Sequence, residues 1–230
     1  MSVDNAPERA LYVQYGAGAS GPSTWLNFDA SPTLRLQRLP GIGRWLAHRM
    51  PAHRPRFSAE VVYGDIVAGL PVDKEQCRAI YCSHVLEHLA YEECRVALRN
   101  TWSYLQPGGI FRFVMPDLRG LAEAYLADPQ PDAAHRFMDR TYLGRRVRPR
   151  TASARMFSGL GNADHLWMWD FASMESALSE AGFVDIRRAQ YGDSSERRFA
   201  EVEVSSRWEE EGFMPGTVVA CLGVECRRAG

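Results

Sequence analysis

The sequence predicts an α/β fold built on a mostly parallel sheet. Short apolar runs alternate with longer stretches of helical periodicity. The first run passes into a glycine-rich turn. Polar residues then gather at the carboxyl ends of the runs, where open α/β sheets bind ligands. At 230 residues a single domain, 1–230, is expected, with enough chain for a sizeable core.

Leu11–Tyr15, "LYVQY", reads as the first strand and is followed by Gly16, Gly18 and Gly21 in a literal G-x-G-x-x-G. A dinucleotide site needs a helix directly after such glycines, and an acid about 20 residues further on. Here Pro22 follows, and the apolar alternation Trp25–Asp29 begins almost at once. No helix fits, so the helix N-terminus that stabilises a diphosphate is missing. The loop suits a cofactor without phosphates, with Asp29 accepting hydrogen bonds from a ribose diol, or else it is a plain turn between strands. Glu60–Tyr63 and Ala79–Ser83 are the next strands. Tyr91–Leu105 puts Cys94, Leu98, Trp102 and Leu105 on one helical face, and "QPGG" turns the chain into Ile110–Met115. Asp117 is placed to cap the following helix. Pro129–Asp164 breaks the rhythm and reads as an inserted helical or irregular cap over the site. Phe171–Ala181 is a helix capped by Asp170. "FVDIRRAQY" and "TVVACLGVEC" have strand composition and form an expected antiparallel pair at the end of the sheet. Tyr15–Gly18, Asp29, Gly64–Ile66, Ser83–His84 and Pro116–Asp117 then converge on one crevice from five strand ends.

Composition sets the class. Hydrophobic residues make up 46% and charged residues 24%, as in ordinary soluble proteins. "MSVDNAPERA" lacks a basic start and an apolar run, and no segment approaches a membrane span, so a cytoplasmic protein with no membrane partner is expected. Five cysteines without a C-x-x-C pair indicate neither a disulfide framework nor a zinc site. The net charge of −1 argues against a nucleic-acid partner. Charge is uneven, however: between His135 and Met156 stand Arg136, Arg140, Arg145, Arg146, Arg148, Arg150 and Arg155 against one acid, Asp139. This is either a solvated, acid-paired surface or a rim that attracts an anionic substrate. Tyr142, Arg145 and Arg146 are the substrate contacts on the second reading.

The ordered motifs "YGAGASGPSTWLNFDAS", "SHVLEHL", "LQPGG" and "MPDL" resemble those of class I S-adenosylmethionine-dependent methyltransferases, in particular a small bacterial group with HVLEHL and VPDL elements. The resemblance implies a Rossmann-like methyltransferase fold: a mostly parallel seven-stranded sheet with a terminal antiparallel pair, here carrying the inserted cap. It implies S-adenosyl-L-methionine as cofactor, held by Tyr15, Gly16, Ala17, Gly18, Asp29, Ala30, Asp65, Ile66, Ser83 and His84. Asp29 takes the ribose, Asp65 and the Ile66 backbone the adenine edge, and Ser83 and His84 the floor near the sulfonium. Gln14 and Tyr15 depart from the apolar residues commoner in that first strand, and Tyr15 could crowd or stack in the pocket.

A methyl sulfonium is already an activated donor, so holding donor and acceptor in line and excluding water is the main task. No metal is required, and the sequence indicates none. A hydroxyl acceptor benefits from a base, and histidine titrates in the right range. "SHVLEHL" also spells H-x-x-E-H, the letters of a zinc-protease signature, but it begins at a strand end and no third ligand is evident in sequence. Glu87 and His88 read best as structural. His84 and His165 are the candidate bases: His165 is favoured, on the acceptor side, and His84 is expected rather to see the cofactor. The expected activity is methylation of a small, anionic acceptor such as an acidic sugar, nucleotide-sugar or other metabolite, with oxygen favoured. The alternatives are an inactive methyltransferase-like binding protein and, less favoured, an NAD(P)-dependent reductase. Either a monomer or a homodimer fits the sequence.

Overall fold

The computed structural model of the protein describes residues 11–41, 43, 57–144, 146–148, 150–151, 164–213 and 216–230. Its centre is a seven-stranded sheet in the order β3-β2-β1-β4-β5-β9-β6. These strands are β1 Leu11–Tyr15, β2 Leu26–Asp29, β3 Val61–Tyr63, β4 Cys77–Ser83, β5 Leu105–Met115, β6 Phe183–Arg188 and β9 Leu222–Arg228. The first five run parallel, whereas β9 lies antiparallel between β5 and β6. The expected mostly parallel seven-stranded α/β sheet with its terminal antiparallel pair is therefore present. Only part of "TVVACLGVEC" belongs to that pair. Val218–Ala220 (β8) instead pairs with Glu209–Glu211 (β7) in a separate ribbon.

Period-two alternation divides the sheet into two buried faces. Ile80, Cys82, Phe111 and Phe113 meet α2 (Tyr91–Tyr104) and α5 (Phe171–Glu180) through Cys94, Leu98, Met174 and Leu178. Ala79, Tyr81, Ile110 and Val114 face the other way, onto Trp25, Phe199 and Trp208. Arg112 shares that second face and is fully buried. Its guanidinium lies 4.8 Å from the Trp208 ring and contacts Glu203 (2.5 Å), Asp193 (2.9 Å), Glu225 (3.2 Å) and the Gln190 carbonyl (2.6 Å).

Helix α2 ends at Tyr104, one residue before the expected end. "QPGG" lies within β5, where the pairing skips between Leu105 and Ile110 and Gly108 adopts φ +74°. Asp117 caps α3 (Leu118–Ala127) by accepting from the Arg119 N–H at 3.0 Å. It is buried against Trp169 and Arg188 rather than in the crevice, so four strand ends converge there, not five. Of the expected cap, the described part contains α4, Ala133–Thr141, which packs on α3 through Tyr125 and Phe137. A short α1, Pro32–Gln37, was not evident in the sequence; Ser31 caps it. Among the described residues no helix is long and apolar enough to cross a membrane.

Candidate active site

The crevice opens at the carboxyl ends of β1 to β4. Tyr15, Gly16, Gly18, Asp29, Ala30, Ser31, Gly64, Asp65, Ile66, Ser83, His84, Val85, His88, Leu89 and Arg207 line it. Nine of the ten residues expected to hold a cofactor are in that lining. The exception is Ala17, which turns away and packs with Leu34 and Val61.

No helix follows the glycines. Gly16 (φ +72°) and Gly18 (φ +56°) bend the backbone across the crevice mouth. A Cβ on Gly16 would overlap Val85 and approach the Ser83 carbonyl at 3.2 Å, so only glycine lets this loop lie against the end of β4. Gln14 explains itself here: it is register partner to Asn27 and donates to it at 2.6 Å and to the Ser20 carbonyl at 3.1 Å. Asn27 in turn donates to the Pro22 and Trp25 carbonyls. The polar pair thus pins a loop that has no secondary structure of its own. Tyr15 neither crowds nor stacks in the pocket. It is 2% exposed, with its ring on Phe111 and its hydroxyl 3.2 Å from Thr101.

Asp29 fastens both sides of the loop. Oδ2 accepts from the Gly18 N–H (3.0 Å) and Oδ1 from the Ser31 N–H (2.7 Å). Each oxygen keeps acceptor capacity toward the crevice. Asp65 Oδ1 accepts from the Val67 N–H at 2.9 Å, and the Ile66 carbonyl is taken by Asn100. Arg207, not foreseen from the sequence, closes the opposite wall. Its Nη1 lies 3.4 Å from Ser83 Oγ, and its Nη2 lies 3.2 Å from where a Gly18 side chain would begin.

His84 adopts φ +53°, an uncommon conformation for a residue with a side chain, and its N–H reaches the Val114 carbonyl. That turn aims the ring between two acceptors: Nε2 is 2.8 Å from the Arg207 carbonyl and Nδ1 is 3.2 Å from Glu87 Oε1. Burial alone would lower its pKa, but Glu87 and the Arg207 carbonyl outweigh burial and raise it above the ordinary value. A ring whose two nitrogens both face acceptors holds its proton more tightly and turns no free lone pair to the crevice.

His165 is buried but does not line the crevice. It stands behind His88, ring to ring at 4.9 Å, with Tyr142 on its other side at 5.0 Å. Burial lowers its pKa, so the neutral ring prevails, and its Nδ1 has no hydrogen-bond partner. Tyr142 is therefore a neighbour of His165, half-exposed at the end of α4. Arg146 holds Asp139 through two contacts and is largely exposed, away from the crevice lining. Arg145 lies outside the described residues. Arg136 pairs with Asp128 (2.6 Å) and Asp132, and Arg140 with Glu211 (2.8 Å). Two of the seven arginines, Arg136 and Arg140, are thus neutralised by acids from other segments.

Residues 42–113, under a third of the chain, match the family model described as methyltransferase domain. No curated protein matches. Among solved structures, the chain is similar to the CurJ carbon methyltransferase (14% identity, TM-score 0.48, 99% of this chain and 50% of that one). It is also similar to a possible histamine N-methyltransferase from Thermotoga maritima (15%, TM-score 0.49, 97% and 84%). A third is the Haemonchus contortus phosphoethanolamine N-methyltransferase 2 in complex with S-adenosyl-L-methionine (9%, TM-score 0.47, 96% and 49%). The chain thus spans about half the length of the first and third of these.

Proposed function

We propose that the protein is an S-adenosylmethionine-dependent methyltransferase acting on a small-molecule acceptor. The observation that carries this is Asp29. Its carboxylate is fixed at the crevice by two backbone N–H groups, yet keeps a lone pair on each oxygen for the two hydroxyls of a ribose. The cofactor supplies an activated methyl group, and the chain's residues supply binding and alignment. Arg207 and the Gly16–Gly18 backbone hold the amino-acid end, and Asp65 with the Ile66 N–H meets the adenine edge. Ser83 and His84 form the floor. The acceptor enters on the side of His88, which lines the crevice with the neutral His165 ring packed behind it. A hydroxyl acceptor suits that environment best, and the exposed Arg148 and Arg150 leave room for an anionic one. The match over residues 42–113 supports this reading. The loop without a helix disfavours a nicotinamide dinucleotide.

Equilibrium titration tests it. S-adenosylmethionine and S-adenosylhomocysteine should bind one per chain, and NADH should not. Binding of NADH alone, or of none of the three, overturns the proposal.

A further inference from the structure

We propose that Glu87, His88 and His165 form a binding site for a divalent first-row transition-metal ion at the acceptor-side wall of the crevice, with Zn²⁺ the first choice. One ligand atom from each residue lies within 4.8 Å of the others. Ligand atoms around a tetrahedral ion at roughly 2.1 Å are about 3.4 Å apart. Small side-chain rotations therefore close the set around an ion.

Proximity of donors is common, and here a second observation singles the cluster out. Glu87 is fully buried, and neither carboxylate oxygen has a hydrogen-bond partner. His84 Nδ1 stands 3.2 Å from Oε1 but outside hydrogen-bond geometry, so neither carboxylate oxygen is satisfied. Buried carboxylates are otherwise paired and hydrogen-bonded, or coordinate metals. The Nδ1 of His165 is a second buried atom without a partner. His88 Nδ1 is 3.1 Å from the Asp164 carbonyl; donating a hydrogen there fixes the tautomer that leaves the Nε2 lone pair free. Metal-binding histidines are characteristically oriented in this way.

The backbone holds the ligands in place. Glu87 and His88 sit on the one-turn 3-10 helix Leu86–His88 after β4, and the Glu87 carbonyl accepts from the Leu166 (2.8 Å) and Trp167 (3.3 Å) N–H groups. That stitch brings His165 into reach and supplies the third ligand that the H-x-x-E-H spacing lacks in sequence. One carboxylate with two imidazoles is a borderline set that takes zinc or a neighbouring divalent ion and leaves positions open. Because His88 lines the crevice, an open position faces the acceptor. The ion's role in orienting an acceptor hydroxyl and lowering its pKa rests on the methyl-transfer reading; the site itself does not.

The test is a titration of the metal-stripped full chain with Co²⁺, read by its visible absorption, followed by displacement with Zn²⁺. One equivalent should bind and raise the melting temperature. His88→Ala and His165→Ala should each weaken binding at least about tenfold, a scale that even outer-shell partners reach. Glu87→Gln should abolish it, and if that variant does not fold, the two histidine variants decide. No saturable binding at one equivalent, or binding that survives His165→Ala and His88→Ala, overturns the site. S-adenosylhomocysteine affinity is measured in parallel. Normal nucleoside binding without metal binding removes the metal site alone, and metal binding without nucleoside binding removes the methyl-transfer reading alone.

Discussion

Replacing Asp29 with alanine is the most direct perturbation of the proposed cofactor site. Its carboxylate spends one lone pair per oxygen on Gly18 and Ser31 and offers the remainder to the ribose. A hydrogen bond to a charged group contributes about 1.5–3 kcal/mol net. Two such bonds do not simply add, because hydroxyls released from the carboxylate return to water. A total of about 1.5–3 kcal/mol is therefore expected, or roughly 10- to 150-fold in dissociation constant at 1.4 kcal/mol per decade. Alanine also leaves two backbone N–H groups without their acceptor, so a stability loss of about 1–2 kcal/mol accompanies it. Calorimetric titration with S-adenosylhomocysteine reads the first effect and thermal unfolding the second. Asp29→Asn, which keeps one carbonyl oxygen, should fall between wild type and alanine in both. A folded Asp29→Ala chain that binds with wild-type affinity would refute the ribose assignment, whatever the stability change.

Arg207→Ala should weaken S-adenosylhomocysteine binding by about 1.5–3 kcal/mol while leaving 5′-methylthioadenosine, which has no carboxylate, unaffected; equal losses for both ligands would exclude the carboxylate role. His165→Ala should lower kcat at least about tenfold with nucleoside affinity preserved. The functional His165 ring must be neutral, and burial lowers its pKa, so wild-type activity should persist below pH ~6.5 before its acidic limb appears; a normal kcat across the pH profile of the variant removes the assignment. Arg112→Met strands Glu203, whose side chain is 1% exposed, and leaves the buried Glu225 with Arg187 as its one remaining cation among the described residues. The cost should be about 3–5 kcal/mol, lowering the melting temperature by roughly 6–20 °C; a shift within error would mean the carboxylates find other partners. In the same network burial would raise the pKa of Asp193, but Arg187, the Gln190 N–H and Arg112 hold it down at about 2. A depressed carboxylate stabilises the fold above its unfolded pKa of 3.8, and that contribution should disappear in acid titration as pH falls from there towards 2.

Local patterns carried much of the fold and one half of the site. Glycines forcing a turn, Asp29 closing a four-residue strand, and "SHV" leaving β4 are all read within a few residues of one another, and backbone geometry allows them few outcomes. The misses come from partners that are distant in the chain. Arg207 reaches Ser83 across 124 residues, and nothing in "SSRWEE" marks it. His165 comes to Glu87 through a pair of backbone hydrogen bonds, which leave no trace in side-chain identity. Gln14 looked like a flaw in a buried strand because its partner, Asn27, lies on a different strand.

The arginines show the physical reason most sharply. A count between His135 and Met156 finds one acid. In space, Asp128 and Asp132 precede that segment and meet Arg136, while Glu211 arrives from β7 to meet Arg140. A surface field is a sum over charges within about one Debye length, ~8 Å at physiological ionic strength, and chain order does not enter it. Opposed charges at contact distance leave little potential beyond that range, so a run of like charges becomes a steering surface only where the fold brings no counter-charges to it. Arg207 is the instructive contrast. It is an isolated arginine in sequence, yet it meets no carboxylate within ion-pair distance among the described residues and stands in the crevice wall beside Gly18. A single unneutralised guanidinium in a concave site attracts an anion more effectively than several arginines already spent on aspartates, so the site's affinity for a carboxylate should depend on Arg207 far more than on Arg146.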